Sequence, residues 1–232
     1  MSYNWNKIPR PVNVRSWETF KDHTFSHLSD VELYHEMMET QFNKMLGGSS
    51  EDIYNDEILI HIFRSTFLTQ LFTLLEYNLR SICLNIQKFN YQSFSVLDLA
   101  GTSDIQKAQI YLKKTIEINI GEYSEWNFIK DCQKVRNNIV HKNSYFEKDI
   151  AVKENSDFEQ LLSKLNSFKV ISVAQDMAFK KIIKTFLIID CELNKKLIES
   201  LGSLFDKIYN HIISFNKITT PEELAEWERL NN

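Results

Sequence analysis

Phe63-Arg64-Ser65-Thr66-Phe67-Leu68-Thr69-Gln70-Leu71-Phe72-Thr73-Leu74-Leu75-Glu76-Tyr77-Asn78-Leu79-Arg80-Ser81-Ile82-Cys83-Leu84-Asn85-Ile86 is the stretch from which the fold class follows. Phe63, Phe67, Leu68, Leu71, Phe72, Leu75, Leu79, Ile82, Cys83 and Ile86 recur at spacings of three and four. That is the period of one buried face on an α-helix. The pattern spreads over about residues 53–89 and predicts a single long core helix. Its apolar run, Ile58 to Ile86, is interrupted by His61, Arg64, Gln70, Glu76 and Arg80, so it reads as core rather than as a membrane span.

The rest of the chain agrees with a helical protein. Only 5 Gly and 3 Pro occur in 232 residues, and so few breakers favour long helices over a many-stranded sheet. Hydrophobic residues make up 43% of the chain, with 16 Phe and 9 Tyr, enough for an aromatic-rich core. The net charge of −4 does not mark a nucleic-acid binder, so a polyanion would need a local basic patch. Cys83, Cys132 and Cys191 are far apart and lie in apolar stretches. They read as buried thiols of a reducing, cytoplasmic protein. No Cys-x-x-Cys pair is present, and neither a metal nor a cofactor is expected. The polar N-terminus lacks the apolar core of a signal peptide.

Residues 1–15 read as an extended arm with Pro9, Pro11 and the anchor candidate Trp5. Residues 16–46 read as helix in two pieces, the second capped by Ser29 or Asp30 and striped by Leu33, Met37, Met38, Phe42 and Met45. Gly47-Gly48-Ser49-Ser50 reads as a linker. Ser103 or Asp104 caps a helix to about 119 that Gly121 stops, and Ser124 caps another over about 124–142. A short helix is predicted at 157–165 and a hairpin-like or extended piece around Phe168–Val173. A strong helix is predicted over about 175–200, with Met177, Ile182, Phe186, Ile189, Leu193 and Leu197 on one side and Gly202 ending it. Further helices are predicted at about 203–215 and after Thr220-Pro221-Glu222-Glu223. The expected architecture is all-α: arm and helices over 1–50, a helical bundle over 51–200, and C-terminal helices over 201–232 packed on the same domain.

One segment makes a specific chemical statement: Asp131-Cys132-Gln133-Lys134-Val135-Arg136-Asn137-Asn138-Ile139-Val140-His141-Lys142. On a helical wheel, Ile129, Cys132, Ile139 and Val140 fall within about 60° of Arg136. Asn137, His141, Lys134 and Lys130 lie about 100–160° away, as a polar ridge. An arginine among apolar residues needs a carboxylate, carbonyls or a bound anion, because an unpaired buried charge costs several kcal/mol, on the order of 3–5. His141 stands at a helix C-terminus, where the macrodipole favours a cationic side chain. Histidine to move a proton, beside arginine to neutralise phosphate charge, suits phosphodiester chemistry. The structural alternative is Arg136 in a buried ion pair and His141 as an ordinary polar residue at a helix end.

Arg136-Asn137-x-x-x-His141 resembles the Arg-x4-6-His signature of HEPN domains, a superfamily of helical nucleotide-binding and ribonuclease domains. Many members carry a polar residue, often Asn, directly after the arginine, and Asn137 fits. The order of long core helix, second helix and motif helix is also similar to the family's bundle, over about residues 53–200. Two positions depart from it. Lys142 follows the histidine where small residues are common. Asn143 stands where some members carry tyrosine.

The resemblance implies a HEPN-like bundle that forms a homodimer with two motifs facing one cleft. It also implies a metal-independent endoribonuclease that cleaves RNA by 2′-hydroxyl attack, as a toxin or defence (abortive-infection) effector, with an antitoxin or other protein partner. Arg136, His141 and Asn137 would be its catalytic residues. Glu76, acidic on an earlier core helix, would orient Arg136 or His141, the alternative being an i, i+4 pair with Arg80. Lys130, Lys134 and Lys142 form the local basic patch for the RNA backbone, the alternative being a solvated helix face. Family members without activity serve as interaction or nucleotide-binding modules in defence or regulatory systems, and that is the second reading.

Overall fold

A computed structural model of the protein describes residues 14–46, 53–89, 94–101, 103–151, 156–215 and 229. Apart from Val14 and Arg15, the arm expected at the N-terminus lies outside the described residues, as do the Gly47–Ser50 linker and the helix expected after Thr220. The described elements are α1 (Val14–Leu46), α2 (Ile53–Phe89), α3 (Asp104–Ile116), α4 (Trp126–Lys142), β1 (Tyr145–Asp149), α5 (Asp157–Leu165), β2 (Phe168–Asp176), β3 (Lys181–Ile188) and α6 (Glu192–Phe215). Two single 3-10 turns, Val96–Asp98 and Ile120–Glu122, flank α3. The protein is thus mostly helical but not all-α, because β1, β2 and β3 form a sheet.

The chain divides into two compact units. The first takes its described residues from 14–27, 74–126 and 202–215. Its core joins Trp17 of α1, Leu75, Leu79, Ile82 and Ile86 of α2, Tyr111 and Leu112 of α3, and Leu204, Phe205 and Ile208 of α6, all 0–1% exposed. Thr24 Oγ1 lies 2.8 Å from the Tyr209 hydroxyl and donates to Asn78 Oδ1 at 3.2 Å. Lys207 Nζ donates to both oxygens of Glu125, at 2.6 and 2.8 Å. With Ser203 it holds that carboxyl down at about 2. Ser103 caps α3 through Gln106 N, and Glu117, with φ 60°, closes it in the left-handed region. The stop therefore falls four residues before the Gly121 expected to provide it.

The second unit takes residues 28–73 and 127–201. Its sheet runs β1-β3-β2, antiparallel throughout, with Tyr145 opposite Thr185 and Phe168 opposite Ile188. Phe186 is its aromatic centre, with ring centroids of Phe168 at 5.4 Å, Phe158 at 5.7 Å and His61 at 6.2 Å. The ion pair of Glu39 with Arg64 is buried in the same unit. Arg64 Nε donates to Glu39 Oε1 at 2.8 Å and Nη2 to Oε2 at 2.6 Å. His35 Nε2 stands 3.6 Å from the same carboxylate, and burial lowers the imidazole's pKa.

Several expectations from the sequence are overturned here. Helix α1 is continuous over 33 residues, with Ser29 and Asp30 on its exposed side rather than at a cap. No Gly or Pro lies between Val14 and Leu46 to break it. Its buried stripe is also different: Leu28, His35, Glu39 and Phe42 are buried, while Leu33 and Met37 are 58% and 60% exposed. Of the expected stripe Phe42 is buried and Leu33 and Met37 are not, because polar His35 and Glu39 occupy much of the buried face.

The helix expected over 175–200 is instead the β2–β3 hairpin followed by the first part of α6. Ile182, Ile183, Thr185 and Ile188 are β-branched and favour the pleated strand. Asp176 Oδ1 accepts from the backbone N–H of Ala178 at 3.0 Å and of Phe179 at 3.1 Å, closing a turn at the hairpin tip. Met177 and Phe179, the first counted toward a helical stripe, are 74% exposed there. Gly202 does not end a helix but lies within α6, and Cys191 is half-exposed rather than buried.

The long α2 matches its expected span. Residues Asp56–Lys88 are long and apolar enough, by length and composition, to cross a membrane. In this fold that apolar face is core: Phe67, Leu68, Leu71 and Phe72 are at most 2% exposed.

Candidate functional site

Helix α4 buries Trp126, Ile129, Cys132, Val135 and Asn138, one residue in three. Lys130, Lys134, Asn137 and His141 lie exposed on the other side. Val140, expected on the apolar stripe, is 49% exposed. The buried line centres on Cys132 and Val135, so Arg136 sits at its flank. The Arg136 side chain is half-buried, with Nε shielded from solvent, and its Nη1 donates to Asn137 Oδ1 at 3.2 Å. Arg136 and Asn137 are thereby joined, and His141 follows Asn137 by one turn on the same exposed ridge.

The helix is fixed at two points. Asp131, 7% exposed, accepts from Lys134 Nζ at 2.9 Å and from Lys164 Nζ of α5 at 2.6 Å. Burial alone would raise its pKa, and the two lysine hydrogen bonds outweigh burial and hold it below the ordinary aspartate value. Lys134 is therefore part of a structural ion pair as well as of the basic ridge. At the C-terminus, the Asn143 N–H donates to Ile139 O at 3.0 Å. Asn143 and Ser144 then both adopt positive φ, 50° and 66°, turning the chain abruptly into β1. Asn138 Nδ2 donates to Tyr145 O at 3.2 Å, tying the last turn of α4 to the strand.

Beside this end of α4 lies an open cavity of about 740 Å³. Asn138 and Lys142 line it from α4, with Tyr145, Glu147, Asp149 and Asp157 among its other walls. Arg136, Asn137 and His141 are not among its lining residues. Its three carboxylates against Lys142 and Lys181 make it a poor seat for a phosphate, and Lys181 is already paired with Glu147. The ridge of Asn137 and His141 lies on the adjoining face of α4.

Other candidates resolve individually. Glu76 is half-buried on α2 and belongs to the first unit, whereas Arg136 belongs to the second. Lys130 and Lys142 are exposed. Trp126 is core at 4% exposure, and Lys196 Nζ lies 4.7 Å from the Phe128 ring centroid. Burial pushes the thiols of Cys83 and Cys132 up to about 12, which leaves them chemically inert. Among the described residues no three His, Cys, Asp or Glu side chains are grouped to hold a metal. His23 and His27, one turn apart on α1, gain no third such ligand among the described residues.

Two contributors escape a reading of the sequence, Asp131 and Ser144, whereas His61, with Arg64 on the apolar side of α2, reads from the sequence as structural rather than as lining a dimer cleft. Only Asp131 carries a local signal, its i, i+3 spacing to Lys134. Compared with known proteins, the chain matches no protein-family model, no curated protein and no solved structure.

Proposed function

We propose that the chain is a HEPN-type, metal-independent endoribonuclease, acting as a toxin or defence effector. The observation that carries the reading is the end of α4: exposed Asn137 and His141 share one ridge, and Asn137 accepts a hydrogen bond from half-buried Arg136. A proton-transfer group and a fixed cation thus stand on one short helical segment that ends in a tight turn.

The chemistry follows from these groups. The 2′-hydroxyl of RNA loses a proton and its oxygen attacks the adjacent phosphorus. The bond from phosphorus to the 5′-oxygen then breaks, and that oxygen takes up a proton. His141 serves in one of the two proton transfers, and the His141 of a second copy serves in the other. Arg136 stabilises the added negative charge on the phosphorane, and Asn137 holds the guanidinium. The nucleophile is intramolecular and already near the phosphorus, so no metal is required to generate it. Products carry a 2′,3′-cyclic phosphate and a 5′-hydroxyl. Lys130 and Lys142 attract the RNA backbone, and the active form is a homodimer.

Purified protein incubated with RNA in EDTA tests this reading. It should cleave, and His141→Ala and Arg136→Ala should each abolish most cleavage. Equal cleavage by wild type and both variants would refute the assignment, and so would a strict requirement for Mg²⁺.

A second reading is a non-catalytic interaction module. Leu33, Tyr34 and Met37 of α1 favour it, being apolar, close on one side of the helix, and 48–60% exposed. Harmless overexpression, together with no cleavage of any RNA tested, would select this reading over the nuclease.

A further inference from the structure

His61 of α2 is not part of the Arg136–His141 motif, yet its ring nitrogens reach the chain on either side of it. The Ile188 N–H of β3 donates to His61 Nδ1 at 3.1 Å. An accepting Nδ1 carries no proton, so the neutral ring holds its proton on Nε2. That nitrogen lies 3.4 Å from Ser144 Oγ and is the donor of the pair. The ring edge packs on Phe186 at a centroid distance of 6.2 Å.

Ser144 is the second of the two positive-φ residues that end α4. Its carbonyl accepts from Phe186 N at 3.3 Å and from Thr185 Oγ1 at 3.2 Å. Ser144 is only 4% exposed. A serine with φ of 66° sits in a region that L residues adopt only when their surroundings hold them there. The holding groups are His61 on one side and β3 on the other. His141 lies three residues before this turn, on the last turn of the helix that it closes.

We propose that His61 is a positioning residue: bonded to Ile188 of β3 and to Ser144, it clamps the left-handed turn after α4 and so sets where the helix ends and where His141 stands. The catalytic consequence rests on the nuclease reading above. The clamp itself does not.

The test uses the full chain with His61→Phe, which keeps the ring packing and loses both hydrogen bonds, and with His61→Gln, whose amide nitrogen restores a donor near Nε2. Hydrogen exchange is followed at the amides of residues 143–146, with α3 of the first unit as the internal reference. His61→Phe should speed exchange at 143–146 by about ten-fold relative to α3, since the turn then opens locally. It should also lower kcat for RNA cleavage about ten-fold with little change in KM, because His141 is displaced rather than removed. His61→Gln should recover most of both losses.

Should His61→Phe fail to fold, Ser144→Ala deletes the one hydroxyl and should give the same local exchange signature. Unchanged exchange at 143–146 in the folded variants overturns the clamp. So does a Gln variant no better than Phe. If the wild type cleaves no RNA, the nuclease reading fails by itself, and the exchange measurement still decides the clamp.

Discussion

At the scale of single residues, two arginines of similar sequence context have different fates. Arg64 is sealed in a two-bond pair with Glu39, each about 5% exposed. Arg64→Ala would leave a buried carboxylate without its partner and should lower unfolding free energy by about 3–5 kcal/mol in urea titration. Replacing both members by apolar residues of similar volume, Arg64→Met with Glu39→Leu, should recover most of that loss. Arg136 is half-buried and opens onto the exposed ridge through Asn137. On the nuclease reading, Arg136→Ala should lower RNA cleavage by roughly 10²–10³-fold. His141→Ala should lower it by about 10²–10⁴-fold, both read from initial rates on a labelled RNA. The motif residues could be picked out as candidates in the sequence because Arg136, Asn137 and His141 lie within six residues of one helix. The Glu39–Arg64 pair could not, since it joins positions 25 residues apart on two helices.

At the scale of elements, the helices follow their local code where breakers and caps act alone. Helix α5 runs over Asp157–Leu165, the span its sequence predicts, and a Ser156–Glu159 capping box opens it. Helix α6 departs from the expectation because Gly202 is tolerated inside it, and a Cβ at Gly202 would meet nothing within 4 Å. Gly202→Ala should therefore stabilise the protein by about 0.5–1 kcal/mol, seen as a shift of the urea midpoint at unchanged slope. A real helix stop at this position would give the opposite sign. The hairpin-like or extended piece expected around Phe168–Val173 is the first part of β2, whereas β3 is the element that sequence periodicity missed. The apolar residues at 177, 182, 186 and 189 mimic a helical spacing, while β-branching and the Asp176 turn act at shorter range and prevail.

At the scale of the whole molecule, stability should fall with acid in two windows. Burial lowers the His61 pKa to about 4, from an ordinary 6.5. Between those values the unfolded chain binds a proton that the folded one does not, so stability present above pH 6.5 is lost as pH falls towards 4. The loss attributable to this one group approaches about 3 kcal/mol. The carboxyls of Glu125, Asp131 and Glu159 shift the same way on the acid side, and their contribution is lost below the ordinary carboxylate range. Urea midpoints measured from pH 7.5 to 3.5 should show a larger first decline in wild type than in His61→Gln, in which only buried His35 still contributes to it. An equal decline in both would remove His61 as its cause. By itself the sequence determined the helical class, the long α2, the cap of α3 and the candidate Arg136–His141 ridge, because breakers, caps and three-four periodicity act within one turn or two. Only the tertiary structure decided which face of α1 is buried, that 168–188 pairs as strands, and that His61 and Ser144 meet behind the motif. The Glu39–Arg64 and His61 contacts join positions 25 to 127 residues apart, and the strands are fixed by their pairing across the sheet, so no local pattern records the free energy of these contacts.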